Sequence, residues 1–440
     1  MPLTVSFDEG GHIHFERHPF PAPSPLPSFQ ESIPLLLPEE FISEGDRIRQ
    51  AGTLGEHRGL IDLYRRRMEK SLFVFNFTLM GGSNLLQKQP HSFFCDFLQA
   101  VPPRRKLLLA PRGHLKTTLA GGLALHFFVQ PPGRNSYFPK GIGALDHNDG
   151  RSTRVLLASK SLPLASDRLG KLQAILEQNE LFHGFWPEVF WADPVKEAPT
   201  WNQEEITFQR QDIFVEPSLK CIGVGGTITG YHFNVHMHDD LIDIRDRASA
   251  TTMKTAFDWF VASRALMDNI EQSLEITTGT HWANNDLYTL IRENDPSVET
   301  RVYSALLKGS VEKHPQTQRP QLSEESEPLW PQVFPLSLLE QLCQPEPFGF
   351  GDLFPLCYLN DPYHSSVVDF DPRDVRYYTI EGDYLHFERD PRDTALREIL
   401  EPPGIPEHLV YGVKFDKEGY EMLRERLRDR SSKVYFNGVR

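Results

Sequence analysis

Between Lys106 and Leu125 the chain reads KLLLAPRGHLKTTLAGGLAL, an apolar run that enters a Pro-Arg-Gly turn and leaves it as a helix starting at Lys116-Thr117-Thr118. Phosphate binding needs that layout, because the turn and the helix N-terminus aim backbone N–H groups at an anion. A lysine at that point reaches β- and γ-phosphates, and the Thr117 hydroxyl can ligate Mg²⁺. The usual phosphate loop has glycine at two framing positions, which Ala110 and Leu115 occupy here. The generic pattern therefore fails at both, and a lysine at an ordinary strand–helix junction is the competing reading.

A second segment, FNVHMHDDLID over residues 233–243, is a short strand ending in Asp239-Asp240. A strand-terminal carboxylate near a phosphate loop can hold Mg²⁺ and its water shell. A second carboxylate beside it can orient and polarise an attacking water. Adjacent acids also occur as helix N-caps. The alternating His236 and His238 lack a third spaced ligand and read as sheet-face histidines rather than a metal site. A third segment, LEITTGTHW over 274–282, is a strand ending in a Thr-Gly-Thr turn. Its hydroxyls either touch the terminal phosphate and report its loss, or simply make a turn.

These segments need a scaffold that brings strand ends together. Lys106–Ala110, Arg154–Ser159, Lys220–Gly223, Asn234–His238, Leu274–Thr278 and Arg301–Leu307 read as strands. Helical patterns at 116–128, 162–178, 254–268 and 285–293 separate most of them, which predicts an α/β fold with a doubly wound, largely parallel sheet. A polar, Gly/Pro-rich excursion at 130–153 follows the first of these helices, and a polar stretch at about 308–328 precedes an amphipathic helix at 336–343. Residues 1–40 read as a hairpin (Leu3 to Arg17) and a Pro-rich arm, 41–307 as the phosphate-loop core, and 308–362 as a lid or linker. Residues 363–440 read as a small appendage with a second hairpin, Arg376–Ile380 with Tyr384–Arg389, and a charged helix at 417–430. The YLHFERDP segment of that hairpin echoes HIHFERHP near the N-terminus, an echo short enough for chance.

Length and composition fit this plan. The 440 residues suggest two to three domains, and 39% hydrophobic content rules out a mainly disordered chain. No apolar run reaches about 18 residues, so no spanning helix is expected, and the N-terminus lacks signal-peptide regions. Four scattered cysteines form no CxxC, which predicts free thiols without a zinc site. The net charge of −14 argues against a general polycation, yet a local basic groove can still bind phosphates. Arg65, Arg66 and Arg67 are candidates for such contacts, or a solvated helix face.

Taken in this order, the three segments resemble the ATPase domain of large terminase subunits, the DNA-packaging motors of tailed bacteriophages. APRGHLKTT resembles that family's divergent Walker A, which reads PRGxGK[ST]. NVHMHDDLID is similar to its Walker B with the adjacent acid, and TTGTHWANNDL to its coupling motif, TGTRWxxDDL. QPHSFFCDFLQ before the loop strand and GFGDLFPLCYLNDP near 348–362 also match, so the resemblance spans roughly 60–362. It implies an ASCE-type P-loop fold that hydrolyses ATP with Mg²⁺ to translocate double-stranded DNA. By the same resemblance the nucleotide is cradled by Pro111, Arg112, Gly113, His114, Leu115, Lys116, Thr117 and Thr118, with Thr278, Gly279 and Thr280 coupling hydrolysis to movement. Thr117 and Asp239 would hold Mg²⁺. Asp240 would be the catalytic acid where the family commonly has Glu, and Arg112 would contact or sense the γ-phosphate. Arg168 is a candidate for the arginine that such motors supply to a neighbouring subunit, with a surface ion pair as the alternative.

The implied partners are DNA, a portal protein, a small terminase subunit, a possible separate nuclease subunit and further copies of the chain in a ring, a pentamer when active. The implied setting is the host cytoplasm during virus assembly. Arg104, Arg105 and the 424–433 tail join Arg65–Arg67 as candidate DNA contacts. Three departures stand out. Leu115 replaces a loop glycine, His281 replaces the usual Arg, and fewer than 80 residues follow Asn360-Asp361-Pro362. That remainder is too short for the family's RNase H-like nuclease domain, and Asp369, Asp371 and Asp374 read as Asx turns. No nuclease activity is expected from this chain. The rival readings are another nucleic-acid ATPase such as a helicase, and a non-hydrolysing DNA-binding or structural protein with a degenerate loop.

Overall fold

The computed structural model describes residues 3–7, 13–17, 58–80, 86–138, 149–226, 230–247, 249–313, 320–345, 347, 349–362, 378–381, 384–387 and 412–414. The chain divides into two units, Met1–Val367 and Val368–Arg440. In the first, β1 (Leu3–Phe7) pairs antiparallel with β2 (Ile13–Arg17), the hairpin expected from the alternating pattern. The core is a seven-stranded sheet. Its strands are β3 (Arg105–Leu109), β4 (Val155–Ser159), β5 (Glu205–Ile206), β6 (Leu219–Gly223), β7 (Val235–Asp239), β8 (Leu274–Gly279) and β9 (Val298–Val302). Their order is β5-β6-β4-β7-β8-β3-β9. Every neighbouring pair is parallel except β5 with β6.

Both faces of the sheet are covered, so β3 and β4 carry the near-continuous apolar runs LLL and VLLA, while β7 (VHMHD) and β8 (LEITTG) bury polar side chains among their apolar ones. On β3, Leu108 points into one apolar cluster and Leu107 and Leu109 into the other. The first cluster is filled by α1 (Arg58–Lys70), α2 (Leu72–Leu79), α3 (Phe93–Gln99), α4 (Lys116–His126) and α5 (Leu162–Gln178). The second takes α6 (Ala250–Ser263), α7 (Leu287–Asn294) and α8 (Leu336–Cys343). This is a mixed α/β unit with a mainly parallel central sheet and helices on both faces.

The expected strand Arg301–Leu307 is not one strand. β9 starts earlier, at Val298, and ends at Val302, while Leu306–Lys308 forms β10, paired with Glu327–Pro328. Backbone partners change at the break. The Tyr303 N–H still reaches Leu109 O at 2.8 Å, but the Ala305 N–H donates to Tyr358 O at 2.7 Å. The helix expected at 254–268 is α6, which begins four residues earlier because the Ser249 hydroxyl caps the Thr252 N–H. It ends in a tight turn at Arg264–Leu266. The polar stretch after β10 holds another short hairpin, Val311–Lys313 with Pro320–Leu322.

In the second unit Tyr378–Glu381 pairs with Tyr384–Phe387, as the alternation there suggests, and Gly412–Lys414 adds a third antiparallel strand. The helix expected at 417–430, the acids Asp369–Asp374, the 424–433 tail and much of the excursion after α4 lie outside the described residues. Among the described residues no helix is long and apolar enough to cross a membrane.

Candidate nucleotide-binding site

Three adjacent parallel strands end level with one another. Leu109 on β3 lies opposite Gly279 on β8, and Thr278 on β8 lies opposite Asp239 on β7. Open α/β sheets bind ligands beyond such carboxyl ends. Arg104 and Arg105 fall at the amino end of β3 instead, where Arg105 donates to Ser297 Oγ at 2.8 Å and Ile270 O at 2.9 Å.

Pro111 stops β3 because it has no N–H to continue the ladder. The chain then turns through Gly113 at φ +81°. A Cβ there would lie 2.8 Å from Phe334 Cζ, so both the backbone angle and the space require glycine. Leu115 follows at φ 61°, ψ 14°, in the left-handed region. The backbone thus takes the conformation a loop glycine adopts freely, at a cost of about 1–2 kcal/mol for a side chain with Cβ. The Leu115 side chain is half-buried against the first apolar cluster. Among the described residues the N–H groups of Gly113, Leu115, Lys116, Thr117 and Thr118 have no hydrogen-bond partner. They form a set of donors at the start of α4, the arrangement that receives phosphate oxygens.

Beneath these donors lies a closed network of charges. Lys116, itself buried, places Nζ 3.3 Å from Asp240 Oδ1. Asp239 Oδ1 accepts from Thr278 Oγ1 at 2.6 Å and from Thr117 Oγ1 at 3.3 Å. Arg168, on α5, donates through Nε to Asp239 Oδ2 and through Nη2 to Asp240 Oδ2, the latter at 3.2 Å. Asp240 sits at φ +49°, held by its N–H to Thr278 O and by the Lys160 N–H to its own carbonyl, each 3.1 Å. The Ser159 hydroxyl fixes the preceding carbonyl, donating to Asp239 O at 2.7 Å. Burial pushes the Asp240 acid above its ordinary value; Lys116 and Arg168 pull it down, Asp239 pushes it up, and the balance stays upward.

The sequence-derived candidates therefore separate into groups. Lys116, Thr117, Asp239, Asp240, Thr278 and Arg168 converge. Arg112 is exposed beside them, its N–H donating to Cys357 O at 2.8 Å. Pro111 is buried, Thr118 half-buried and Gly113 exposed in the loop. The His114 ring turns away, stacked on Phe334 at 4.5 Å and close to Trp330, so only its backbone faces the cradle. Burial draws its pKa down to about 4. The Thr280 hydroxyl donates to Ala110 O at 3.2 Å, bracing the end of β3. Gly279 lies under Tyr288, whose oxygen would be 2.4 Å from an added Cβ. Arg168, a candidate either for an arginine offered to a neighbouring subunit or for an ion pair, is ion-paired here to its own chain's Asp239 and Asp240. His236 and His238 are buried in β7, where burial lowers both to about 3. Arg65 is tied to Glu69 at 2.9 Å and to Glu188, rather than free for phosphates.

Sequence reasoning gave no role to Ser159, Lys160 or Asn360. Lys160 bridges Asp243 at 2.7 Å and Asp246 at 2.8 Å, fixing the chain after the acids. Asn360 accepts the His281 N–H at 3.1 Å and donates to Tyr303 O at 2.8 Å. With the Cys357 contact, the 355–360 turn is bonded to the loop, to the end of β8 and to the exit of β9. The signal for the first pair was the strand-terminal Ser-Lys in VLLASKS; for Asn360 it was the LNDP end of the last matching stretch. His281, which stands where an Arg was expected, is buried and bonded through Nδ1 to Asp286 at 3.0 Å. The Asp286 carboxylate also caps α7 by accepting from Tyr288 and Thr289 N–H.

The donor set fits a small hard cation. Thr117 Oγ1 and Asp239 Oδ1 are 3.3 Å apart, a spacing that two oxygens bound to one Mg²⁺ can share, and the acids are ion-paired to Lys116 and Arg168. Among the described residues no group of three or more His, Cys, Asp or Glu is arranged for a metal. Mg²⁺ bound mainly by water and phosphate needs only one or two protein oxygens.

No protein-family profile and no curated protein matches the chain. A solved structure of S. cerevisiae dbp5 bound to nup159, gle1, IP6 and ADP has a TM-score of 0.31 and 10% identity, covering 53% of this chain and 52% of that one. The chain thus spans about half of that solved protein's length.

Proposed function

We propose that this chain is the ATP-hydrolysing motor subunit of a DNA-packaging terminase, acting on double-stranded DNA at a procapsid portal. The observation that carries the ATPase reading is the convergence of Lys116, Thr117, Asp239, Asp240 and Thr278 at one sheet edge. β8 lies between the loop strand and the acid strand, the ASCE arrangement that the motifs imply. The terminase reading rests on the three motifs and their order. Loop N–H groups and Lys116 would bind the β- and γ-phosphates, and Arg112, exposed in the same loop, would join them. A Mg²⁺ ion held by Thr117 and Asp239 would neutralise phosphate oxygens. Asp240, made more basic by burial and by Asp239, would orient the attacking water and draw its proton. Thr278, bonded to Asp239 through its hydroxyl, and the 355–360 turn, bonded to loop and β8, would pass the change outward to 308–362. The small subunit, the portal and a ring of copies remain part of this proposal.

The test is steady-state ATP turnover by the full chain with and without duplex DNA. Turnover stimulated by DNA and reduced at least 100-fold in both Lys116→Ala and Asp240→Asn is the expected result. Wild-type turnover no higher than that of Lys116→Ala would refute the motor and favour a non-hydrolysing DNA-binding protein. Displacement of a strand from a forked duplex would favour a helicase instead.

A further inference from the structure

Arg168 does more in this geometry than neutralise a neighbour. Each acid of the site offers two oxygens, and all four are engaged. Thr278 and Thr117 hold Asp239 Oδ1, and Lys116 holds Asp240 Oδ1. The two remaining oxygens, Asp239 Oδ2 and Asp240 Oδ2, both go to the one guanidinium of Arg168. That group is largely buried, its side chain 12% exposed, so it does not sample the pair from solvent. A planar fork spanning two carboxylates is the geometry guanidinium makes and an ammonium does not. It lies on the Oδ2 side of Asp239, across the carboxylate from the Oδ1 that Thr117 and Thr278 hold.

We infer that Arg168 is a built-in cation surrogate: it keeps the Asp239–Asp240 pair assembled in the nucleotide-free chain, and a divalent cation competes with it for the pair. The inference rests on the nucleotide-site reading. It makes Arg168 a positioning residue in cis. A guanidinium on both Oδ2 atoms repels a divalent cation drawn to the same acids and has already neutralised part of their charge, so the two compete. Once displaced, the side chain remains rooted on α5 beside the site and free to meet a phosphate there. The charge of the acid pair is thus covered in every stage of a cycle, which avoids leaving two buried carboxylates facing each other unpaired.

The probe is Mn²⁺, followed by its electron paramagnetic resonance signal in titrations of the nucleotide-free full chain. Arg168→Ala should bind Mn²⁺ at least tenfold more tightly than wild type, and Arg168→Lys should fall between them. The gain should vanish in Arg168→Ala/Asp239→Asn. Equal or weaker Mn²⁺ binding by Arg168→Ala overturns the inference, as does a gain that survives the double substitution. If Arg168→Ala unfolds without cation, recovery of its melting temperature on adding Mn²⁺ supports the inference, and failure to recover overturns it. Binding of a fluorescent ATP analogue to wild type, lost in Lys116→Ala, is measured alongside. Absence of that binding would refute the ATPase reading while the Mn²⁺ comparison still decides the role of Arg168.

Discussion

Replacing Leu115 by glycine and by alanine tests whether this loop has the backbone of a phosphate cradle. The residue sits at φ 61°, ψ 14°, where any side chain with a Cβ costs about 1–2 kcal/mol. Full burial of leucine is worth about 1.5–3 kcal/mol, so a half-buried Leu115 recovers about 1 kcal/mol from the cluster it touches. Alanine keeps the strain and loses the packing, and should destabilise the core by about 1 kcal/mol. Glycine also loses the packing and adds about 0.5–1 kcal/mol of chain entropy, but it removes the strain, so it should come out close to wild type. The expected order is leucine near glycine, with alanine below both by roughly 0.5–1 kcal/mol. Urea unfolding of the full chain, followed by far-ultraviolet circular dichroism, measures it. The decisive comparison is the sign between the two variants. In an ordinary right-handed helical position alanine beats glycine by about 1 kcal/mol. Alanine matching or exceeding glycine at 115 would refute the left-handed loop and the cradle built on it. Binding of an ATP analogue should be no weaker in Leu115→Gly than in wild type.

Gly113→Ala should destabilise by about 2 kcal/mol or more, since it adds left-handed strain and a contact of 2.8 Å with Phe334. Adding Phe334→Ala should not restore wild-type stability, and a thermal melt fully recovered in the double variant would contradict the backbone part of that cost. Lys106 is buried with Nζ on the Leu98 carbonyl at 2.7 Å, and burial lowers it from 10.5 to about 7. The unfolded chain therefore binds more protons between those values, and stability rises with pH through that window. Wild type should gain about 1 kcal/mol per pH unit over Lys106→Met between pH 7 and 9; urea titrations showing a constant difference would reject this. His91, His114 and His126 are lowered to about 4 and His236 to about 3, burial being the main cause in each. Each binds a proton in the unfolded chain before the folded one, so stability is lost as pH falls from 6.5 towards 4. Together they remove roughly 5 kcal/mol per pH unit once well below 6.5. Circular dichroism should show cooperative unfolding near pH 5, and an intact fold at pH 4 would contradict the burial of these rings.

How much of this was legible in the sequence follows from what covers each element. β3, β4, β6, β7 and β8 lie inside the sheet, so each reads as a short segment with buried apolar residues and a sharp end, with Lys, His, Glu or Thr interleaved in β6, β7 and β8. The edge strands did not. β5 is two residues long, and β9 is half-exposed along its length, so Val298–Val302 carries the mixed polarity of a loop. The site residues on strand ends and at the start of α4 were legible because local geometry alone places them at one edge. The partners of Arg168 were not, because an arginine in a helix pattern carries no sign of which acid it will meet 71 or 72 residues away. Leu115 shows the limit most clearly. A motif records residue types, and a leucine in a glycine position reads as a broken cradle. The backbone there is set by its surroundings. The loop is pulled to the 355–360 turn by the Arg112 N–H, backed by Phe334 against Gly113 and His114, and anchored by the Leu115 side chain in the core. Each contact acts on the loop from outside the motif, and together they hold a conformation that glycine would have adopted without them.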